Sequence, residues 1–378
     1  MIPLTISVAL VVGGCTAGLA PSPTPEPVGT YERTQPDFDV TGAVGISMAS
    51  DADAVGRDSG EPMADLLTQW GADVELAYAS RNAQTQEEQI DAMIDAGVEV
   101  LLVQPVDEFG LSDVLARAAG AEIAVVAYDR LVWNTPDTDF YVGFDNFQVA
   151  ADVATATLAG LGLANLEGEP STVPPDPVAV EVFAGPANDA FFGFGFNGMV
   201  KKILAFAQAD GRVFYPAGDP TPDTSATDID NVSDIADRLS AVTPQLDRGE
   251  PLGIAAISDD IAAEVIDELK RDGYTPGEEW PIVVGAGGGA DGLRAVRRGD
   301  QFATILLDER ALHETAAAVV ASLLNGAFPE SLVVDGYGYN NDAELVPTYL
   351  VEPITVTQAN LSGIVFGSGY LTPGDLDD

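Results

Sequence analysis

The chain has 378 residues, enough for two domains with substantial cores, and its 46% hydrophobic content excludes a disordered polypeptide. Its 60 acidic residues against 16 basic ones leave a formal charge of -44, which repels phosphate backbones and anionic lipid and so disfavours nucleic acid and membrane surfaces as partners. Lys201, Lys202 and Lys270 are the only lysines, and a surface so rich in Asp and poor in Lys fits a protein that works in concentrated salt, where screening suppresses self-repulsion.

In chain order, residues 2–12 (IPLTISVALVV) form an apolar run too short to span a bilayer, followed by Gly13, Gly14 and the single cysteine, Cys15. One cysteine excludes an internal disulfide. The segment resembles a bacterial lipoprotein signal with Val12-Gly13-Gly14-Cys15 as its processing box, which implies a signal over 1–14 and lipid on Cys15. It departs from that pattern in having no Lys or Arg before the apolar run. Residues 15–39, rich in Pro and small side chains, read as an extended tether.

From Thr41 onward short apolar runs alternate with amphipathic stretches. Residues 41–48 read as a strand, 60–70 as a helix and 74–79 as a strand. Residues 85–96 form a helix with Thr85 and Glu88 in capping-box spacing, ended by Gly97. A buried strand over 98–107 stops at Asp107, a helix covers 111–119, and the next strand runs from 122 to Asp129-Arg130. The run FYVGF then stops at Asp145-Asn146. Polar pairs thus punctuate strand ends, and in an open parallel sheet those ends face the ligand crevice.

After Asn146 the series begins again. A helix covers 148–161, a Pro-rich and acidic insertion 163–177, and strands 178–185, 212–218, 253–260, 281–287 and 302–309 alternate with helices 197–209, 232–241, 261–271, 291–298 and 311–324. Strand and helix alternate with short links, which argues for two doubly wound α/β units with parallel sheets covered on both faces.

Three motifs invite other chemistry. The run Gly285-Ala286-Gly287-Gly288-Gly289-Ala290 follows a strand and precedes a helix, like a dinucleotide fingerprint, and the next strand ends in Asp308-Glu309. It leaves a nucleotide-dependent oxidoreductase as the enzyme alternative, against a glycine run that merely borders a crevice. Asp51, Asp53, Gly56 and Glu61 suggest a calcium loop, but position five is Val55 and position twelve Pro62. His313, the single histidine, has no partner set for a triad or a zinc site, so a helix histidine is the better reading. No metal, cofactor or catalytic residue is expected.

Residues 42–372 resemble the extracytoplasmic sugar-binding proteins of ABC transporters, in the ribose, xylose and multiple-monosaccharide group. The matching words are GAVGIS at 42–47, GLSDVLARA at 110–118, AYDRLVWN at 127–134, FDNFQVA at 144–150, FNGM at 196–199, ISDD at 257–260, VPTYLVEPITV at 346–356 and SGYLTP at 368–373. The resemblance implies the type I periplasmic-binding fold: two doubly wound parallel-sheet lobes on a three-segment hinge. It places the first lobe over 40–145 plus 308–338 and the second over 146–307 plus 339–378. The crossings would fall after Asp145, near Leu307-Asp308 and near residue 338. It further implies a monosaccharide or polyol ligand, an ABC permease as membrane partner, and a monomer. By position it assigns ligand contacts to Asp107, Asp129, Arg130, Asn146 and Asp259.

Several places depart from the family. Where a stacking platform of Arg-Trp or Phe-Phe follows the first strand, this chain has Asp53-Ala54-Val55-Gly56, with Asp51 just before, and these acids join the candidate set. Ala286-Gly287 stand in place of Phe-Asp or Gln-Asp, Leu307 in place of Gln or Lys, and Ala190-Phe191 in place of Asn-Asn. Asp189 and Phe191, Phe192, Phe194 and Phe196 lie close to the last of these, which leaves two outcomes: Trp133 or this phenylalanine cluster supplies a substitute stacking surface, or the site is degenerate and the chain binds another small solute or serves a sensory or interaction role.

Overall fold

The computed structural model describes residues 38–51, 54–171, 177–187, 189, 192–210, 213–227, 232–246, 249–277, 279–327 and 338–377. The leader over 1–14, Cys15 and the tether up to residue 37 lie outside the described residues, as do Asp53, Ala190 and Phe191.

The first lobe is laid down by β1 (Ala43–Met48), β2 (Asp73–Tyr78), β3 (Val100–Val103), β4 (Ala124–Tyr128) and β5 (Phe140–Phe144), in spatial order β2-β1-β3-β4-β5. All four pairings are parallel. The helices α1 (Ala54–Trp70), α2 (Ala83–Ala96) and α3 (Ser112–Gly120) return the chain. The second lobe repeats the plan. Its strands β6 (Val178–Phe183), β7 (Val213–Phe214), β8 (Leu252–Ala256), β9 (Ile282–Gly287) and β10 (Ala303–Leu306) lie in the order β7-β6-β8-β9-β10, again all parallel. Its helices are α4 (Asn146–Gly160), α5 (Phe192–Asp210), the short α6 (Pro222–Ser225), α7 (Val232–Val242), α8 (Asp259–Arg271) and α9 (Ala290–Arg298).

Every residue of β3, β5, β6, β8 and β10 is buried, as expected of parallel strands covered on both faces, and this is why those runs are mostly apolar without alternation; Glu181 of β6 is the charged exception and pairs with Arg238. One apolar cluster runs from Val44 and Ile46 through Phe144 and Val149 to Val180 and Val284, so the lobes share a continuous core at the hinge.

Three segments cross between the lobes. β5 leads at Asp145 into α4, which packs on β8, β9, β10 and α5. β10 leads through Leu307 and Asp308 into α10 (Glu309–Leu324), which packs back on α1 and β5. The third crossing is not near residue 338. β11 (Gly338–Asn340) and β12 (Leu345–Val351) stay in the first sheet, with β12 parallel to β5, and the chain crosses at Glu352-Pro353 before β13 (Ile354–Thr357) pairs antiparallel with β10. The first lobe therefore extends to residue 351. Pro353 cannot donate to a ladder, which suits a strand break there.

Local corrections are small. α2 is capped by Asn82, whose Oδ1 accepts from Thr85 N at 3.0 Å, so Thr85 lies inside the helix rather than at its cap. α1 starts at Ala54 instead of residue 60 and carries Pro62 within it, held by the buried Met63, Leu66, Leu67 and Trp70. α5 starts at Phe192 instead of residue 197, and its tight contact comes further in: a Cβ on Gly198 would lie 2.6 Å from Phe147 O and 2.7 Å from the Ala150 Cβ. At Gly198 helix propensity yields to close contact with α4. Among the described residues no helix is long and apolar enough to cross a membrane.

Candidate functional site

A cavity of about 230 Å3 opens between the lobes. Glu108, Asp129, Arg130 and Asn146 line it from the first lobe and its crossing, and Ala184, Gly185, Pro186, Asp189, Phe192, Gly195 and Ile257 from the second. These residues follow the carboxyl ends of β3, β4, β5, β6 and β8, the position where open α/β sheets place ligands. The volume lies below the usual drug-sized range of roughly 300–1,000 Å3, so the space suits a compact guest.

The first-lobe wall is built around Asp129. This residue has φ +64, and Arg130 N donates to Tyr128 O at 2.6 Å, closing a three-residue turn directly off the strand. A non-glycine residue held there costs about 1–3 kcal/mol, and such strain persists only where neighbours over-determine it. They do so here. Gln104 Nε2 donates to Asp129 Oδ2 at 3.1 Å and the Tyr141 hydroxyl donates to Asp129 O at 2.9 Å. Gln104 is itself set by the fully buried Gln86, whose Nε2 donates to Gln104 O at 2.8 Å and to Ser47 Oγ at 3.2 Å, while its Oε1 accepts from Val106 N at 2.7 Å. A polar chain thus runs from α2 under the strand ends to the carboxylate at the cavity wall.

The same turn throws Arg130 onto Glu108, with Nη1 to Oε1 at 2.9 Å. Only 11% of the Glu108 side chain is exposed, and Trp133 N donates to its carbonyl at 2.8 Å. Burial pushes the Glu108 carboxyl above its ordinary range, Arg130 pulls it back, and the charges of Asp189 and Asp129 push it up again. Burial works against the Arg130 charge too, but Glu108, Asp129 and Asp189 together hold it above its usual value. At the first crossing Asp145 caps α4, accepting from Phe147 N and Gln148 N at 3.0 Å, which leaves Asn146 in the first turn against the cavity. Tyr339 of β11, the pKa of its hydroxyl pushed up by burial and by the nearby Asp145 charge, packs against Phe194 of the opposite lobe with ring centroids 5.3 Å apart.

Of the residues singled out in the sequence, the structure brings Asp129, Arg130, Asn146 and Asp189 together around one hollow, with Phe192 beside them. Phe192 stacks on Phe196 at 6.2 Å. Others stand elsewhere. Asp107 is exposed and its Oδ1 accepts from Phe109 N at 2.9 Å, so it closes the loop after β3. Asp51 is exposed at the end of β1 and is not among the lining residues. The Trp133 ring stacks on Phe109 with centroids 6.2 Å apart, away from the lining, and its buried Nε1 finds no hydrogen-bond partner among the described residues.

Asp259 is enclosed within the second lobe. Its carboxylate accepts from Gly288 N at 2.9 Å, Gln301 Nε2 at 2.9 Å and Thr304 Oγ1 at 2.8 Å. Burial raises its carboxyl above the ordinary range, and these donors oppose the rise. A Cβ on Gly285 or Gly292 would collide with this carboxylate. The glycine run from Gly285 therefore makes room for an internal acid at the start of α9, the place a pyrophosphate would need, and the dinucleotide reading loses its site. Among the described residues no group of three or more His, Cys, Asp or Glu is placed to hold a metal ion.

Sequence reasoning missed Glu108 and the two glutamines. The exit of β3 reads Gln104-Pro105-Val106-Asp107-Glu108, so the polar signal was present but one residue longer than the strand end it was read as. Gln86 carried none, because a buried glutamine on an amphipathic helix looks like a surface residue. A second hollow of about 410 Å3 lies at the crossings, lined by Asp145, Gln148, Asp152, Glu352 and Pro353 among others, behind the strand ends.

Comparison with known proteins adds to this geometry. The periplasmic binding protein domain profile matches residues 44–327. The multiple sugar-binding periplasmic receptor ChvE of Rhizobium radiobacter is 29% identical over 340 residues, covering 87% of this chain and 90% of the receptor. The D-xylose-binding periplasmic protein of Escherichia coli K12 is 28% identical over 311 residues, covering 81% and 84%. Among solved structures, an ABC transporter solute-binding protein of Clostridium phytofermentans with bound β-D-glucose superposes with a TM-score of 0.71 at 27% identity, covering 89% of this chain and 100% of that one.

Proposed function

The chain belongs to the periplasmic binding protein family, and on that premise we propose that it is an extracytoplasmic receptor that captures a monosaccharide or related polyol between its lobes and hands it to an ABC permease. The observation that carries the reading is the cavity at the carboxyl ends of both sheets, with Asp129, Arg130 and Asn146 on one side and Asp189 on the other. Carboxylates accept from sugar hydroxyls and a guanidinium donates to them, and charged hydrogen bonds to neutral partners are worth about 1.5–3 kcal/mol each. A guest that touches both lobes does so fully only when they close, so its binding favours the closed state. The three crossings at Asp145, Leu307-Asp308 and Glu352-Pro353 are the places to absorb that rotation. No bond is made or broken in this cycle.

The protein is tested as purified, against a panel of pentoses, hexoses and polyols. At a hundred times Kd a ligand stabilises the native state by about 2.7 kcal/mol, a shift of several degrees in melting temperature. Small-angle scattering is expected to report a smaller radius with ligand. A panel in which no polyol moves the melting curve sinks the transport reading, and binding without compaction points to a rigid interaction protein. The short apolar leader before Cys15 supports a lipid anchor on that residue at the outer face of the membrane; labelling with a fatty-acid probe in the native host tests it, with Cys15→Ser as the control.

A further inference from the structure

We propose that Tyr339 and Phe194 form an aromatic latch between the lobes, which sets the affinity of the cleft through the closed population and not through contact with the ligand; the proposal rests on the reading of the cleft as a polyol site. The two rings belong to different lobes. Tyr339 sits on β11 of the first sheet and Phe194 in the first turn of α5 in the second lobe, with centroids 5.3 Å apart and planes tilted by 59°. Neither residue lines the cavity, although Phe192 and Gly195 beside Phe194 do. Residues of both lobes line that one hollow, so the contact belongs to the arrangement in which the lobes approach, and it favours that arrangement over an open one.

Each ring is held by its own lobe. Tyr339 N donates to Thr348 Oγ1 at 3.3 Å, and β11 pairs with β12. The turn that joins them is pinned by the fully buried Asn341, whose Nδ2 donates to Val132 O at 3.1 Å and to Thr135 O at 2.8 Å. Phe194 rides on a helix whose Gly198 lies too close to α4 to carry a side chain. Behind the latch the Tyr339 ring meets the fully buried Tyr141 ring edge-on, with centroids 5.8 Å apart at 82°. A Cβ on Gly143 would collide with the Tyr141 hydroxyl, so the glycine leaves that group its place, from which it donates to Asp129 O at 2.9 Å. One run of rings thus joins the second lobe to the strained turn at the cavity wall. Tilted and edge-on aromatic pairs stabilise beyond the area they bury, and an alanine supplies neither part.

The test uses the full protein with Tyr339→Ala, Phe194→Ala, the double variant and Tyr339→Phe, and reads sugar affinity by calorimetry and the ligand-bound radius by small-angle scattering. Apparent affinity scales with the binding-competent fraction, so each alanine variant is expected to weaken binding by about five- to tenfold, and by the same factor for every sugar that binds. The double variant is expected to lose no more than either single one, because both remove one contact. Tyr339→Phe keeps the ring and is expected to recover the affinity. Saturating ligand is expected to bring every variant to the wild-type bound radius, which a merely structural defect would not allow. Tyr339→Leu and Phe194→Leu carry the same readings if an alanine variant does not fold. Unchanged affinity, additive losses, a factor that differs between sugars, or a bound variant that stays expanded overturns the latch and leaves the receptor reading standing. If no polyol binds the wild-type protein, the receptor reading fails and takes the latch with it.

Discussion

Both lobes put an acid just past a buried parallel strand, and the two acids meet opposite fates. Asp129, after β4, sits in a strained turn and faces the gap between the lobes. Asp259, after β8, is drawn beneath the glycine run that follows β9 and accepts from Gly288, Gln301 and Thr304. The difference teaches that the segment following the strand decides the fate of its terminal acid: a strained turn aims Asp129 at the gap, whereas the glycine run after β9 makes room to enclose Asp259. Asp129 accepts from Gln104 Nε2 and still lines the cavity, whereas Asp259 is enclosed by a backbone N–H, an amide and a hydroxyl of its own lobe.

If that contrast is right, substitutions on the two walls separate into ligand effects and stability effects. Arg130→Ala is expected to have the largest effect, a loss of about a hundredfold or more in sugar affinity, because it removes the forked donor and leaves Glu108 buried beside like charges. Calorimetry against the best ligand of the panel checks it, and retained affinity would remove Arg130 from the site.

On the other wall, Asp259→Ala is expected to destabilise the empty protein by about 3 kcal/mol or more by stranding three donors, and Gly292→Ala by about 1–3 kcal/mol by forcing a methyl into the carboxylate. Denaturant unfolding measures both. A melting curve unchanged by Asp259→Ala would break the comparison.

Gln104→Ala sharpens the first wall from behind. Without its amide the Asp129 carboxylate loses its anchor, and affinity is expected to drop about fivefold at nearly constant stability of the lobe core. The effect is smaller than that of Arg130 because Tyr141 still holds the turn.

The smallest expected effect is a pH slope. Glu108, Glu181 and Asp259 are carboxyls that burial holds above their ordinary range. Each binds its proton more tightly folded than unfolded, so the penalty for its charge is absent below the unfolded value and full above the folded one. Stability is lost as pH rises through that window. The melting temperature is expected to climb as pH falls toward the ordinary carboxylate range, and Glu108→Gln to flatten the slope in part.

Much of this architecture was legible along the chain. Continuous apolar runs such as VLLV and FYVGF betray strands buried on both faces, and helical stretches between them leave parallel order as the economical solution. Asp129-Arg130 and Asn146 stand out because polar residues interrupt such runs abruptly. The third crossing was not legible at its true position, since β12 pairs with β5, 207 residues earlier in sequence by the Thr348–Tyr141 register, and β11 pairs with β12. The early start of α5 was hidden by Gly193 and Gly195, poor helix formers in its first turn, while the reason for Gly198, its contact with α4, is a property of two helices at once.

By itself the sequence determined the fold class, the repetition of one α/β plan, the acidic field and the strand ends at which ligand chemistry could sit, because periodicity and punctuation are local properties of neighbouring residues. Only the tertiary structure decided which strand-end acid faces the gap and which is locked away, that Glu108 rather than Asp107 lines the cavity, and that the glycine run shelters Asp259. Those outcomes depend on which donors a separate part of the chain delivers to each carboxylate, and no local pattern carries that information.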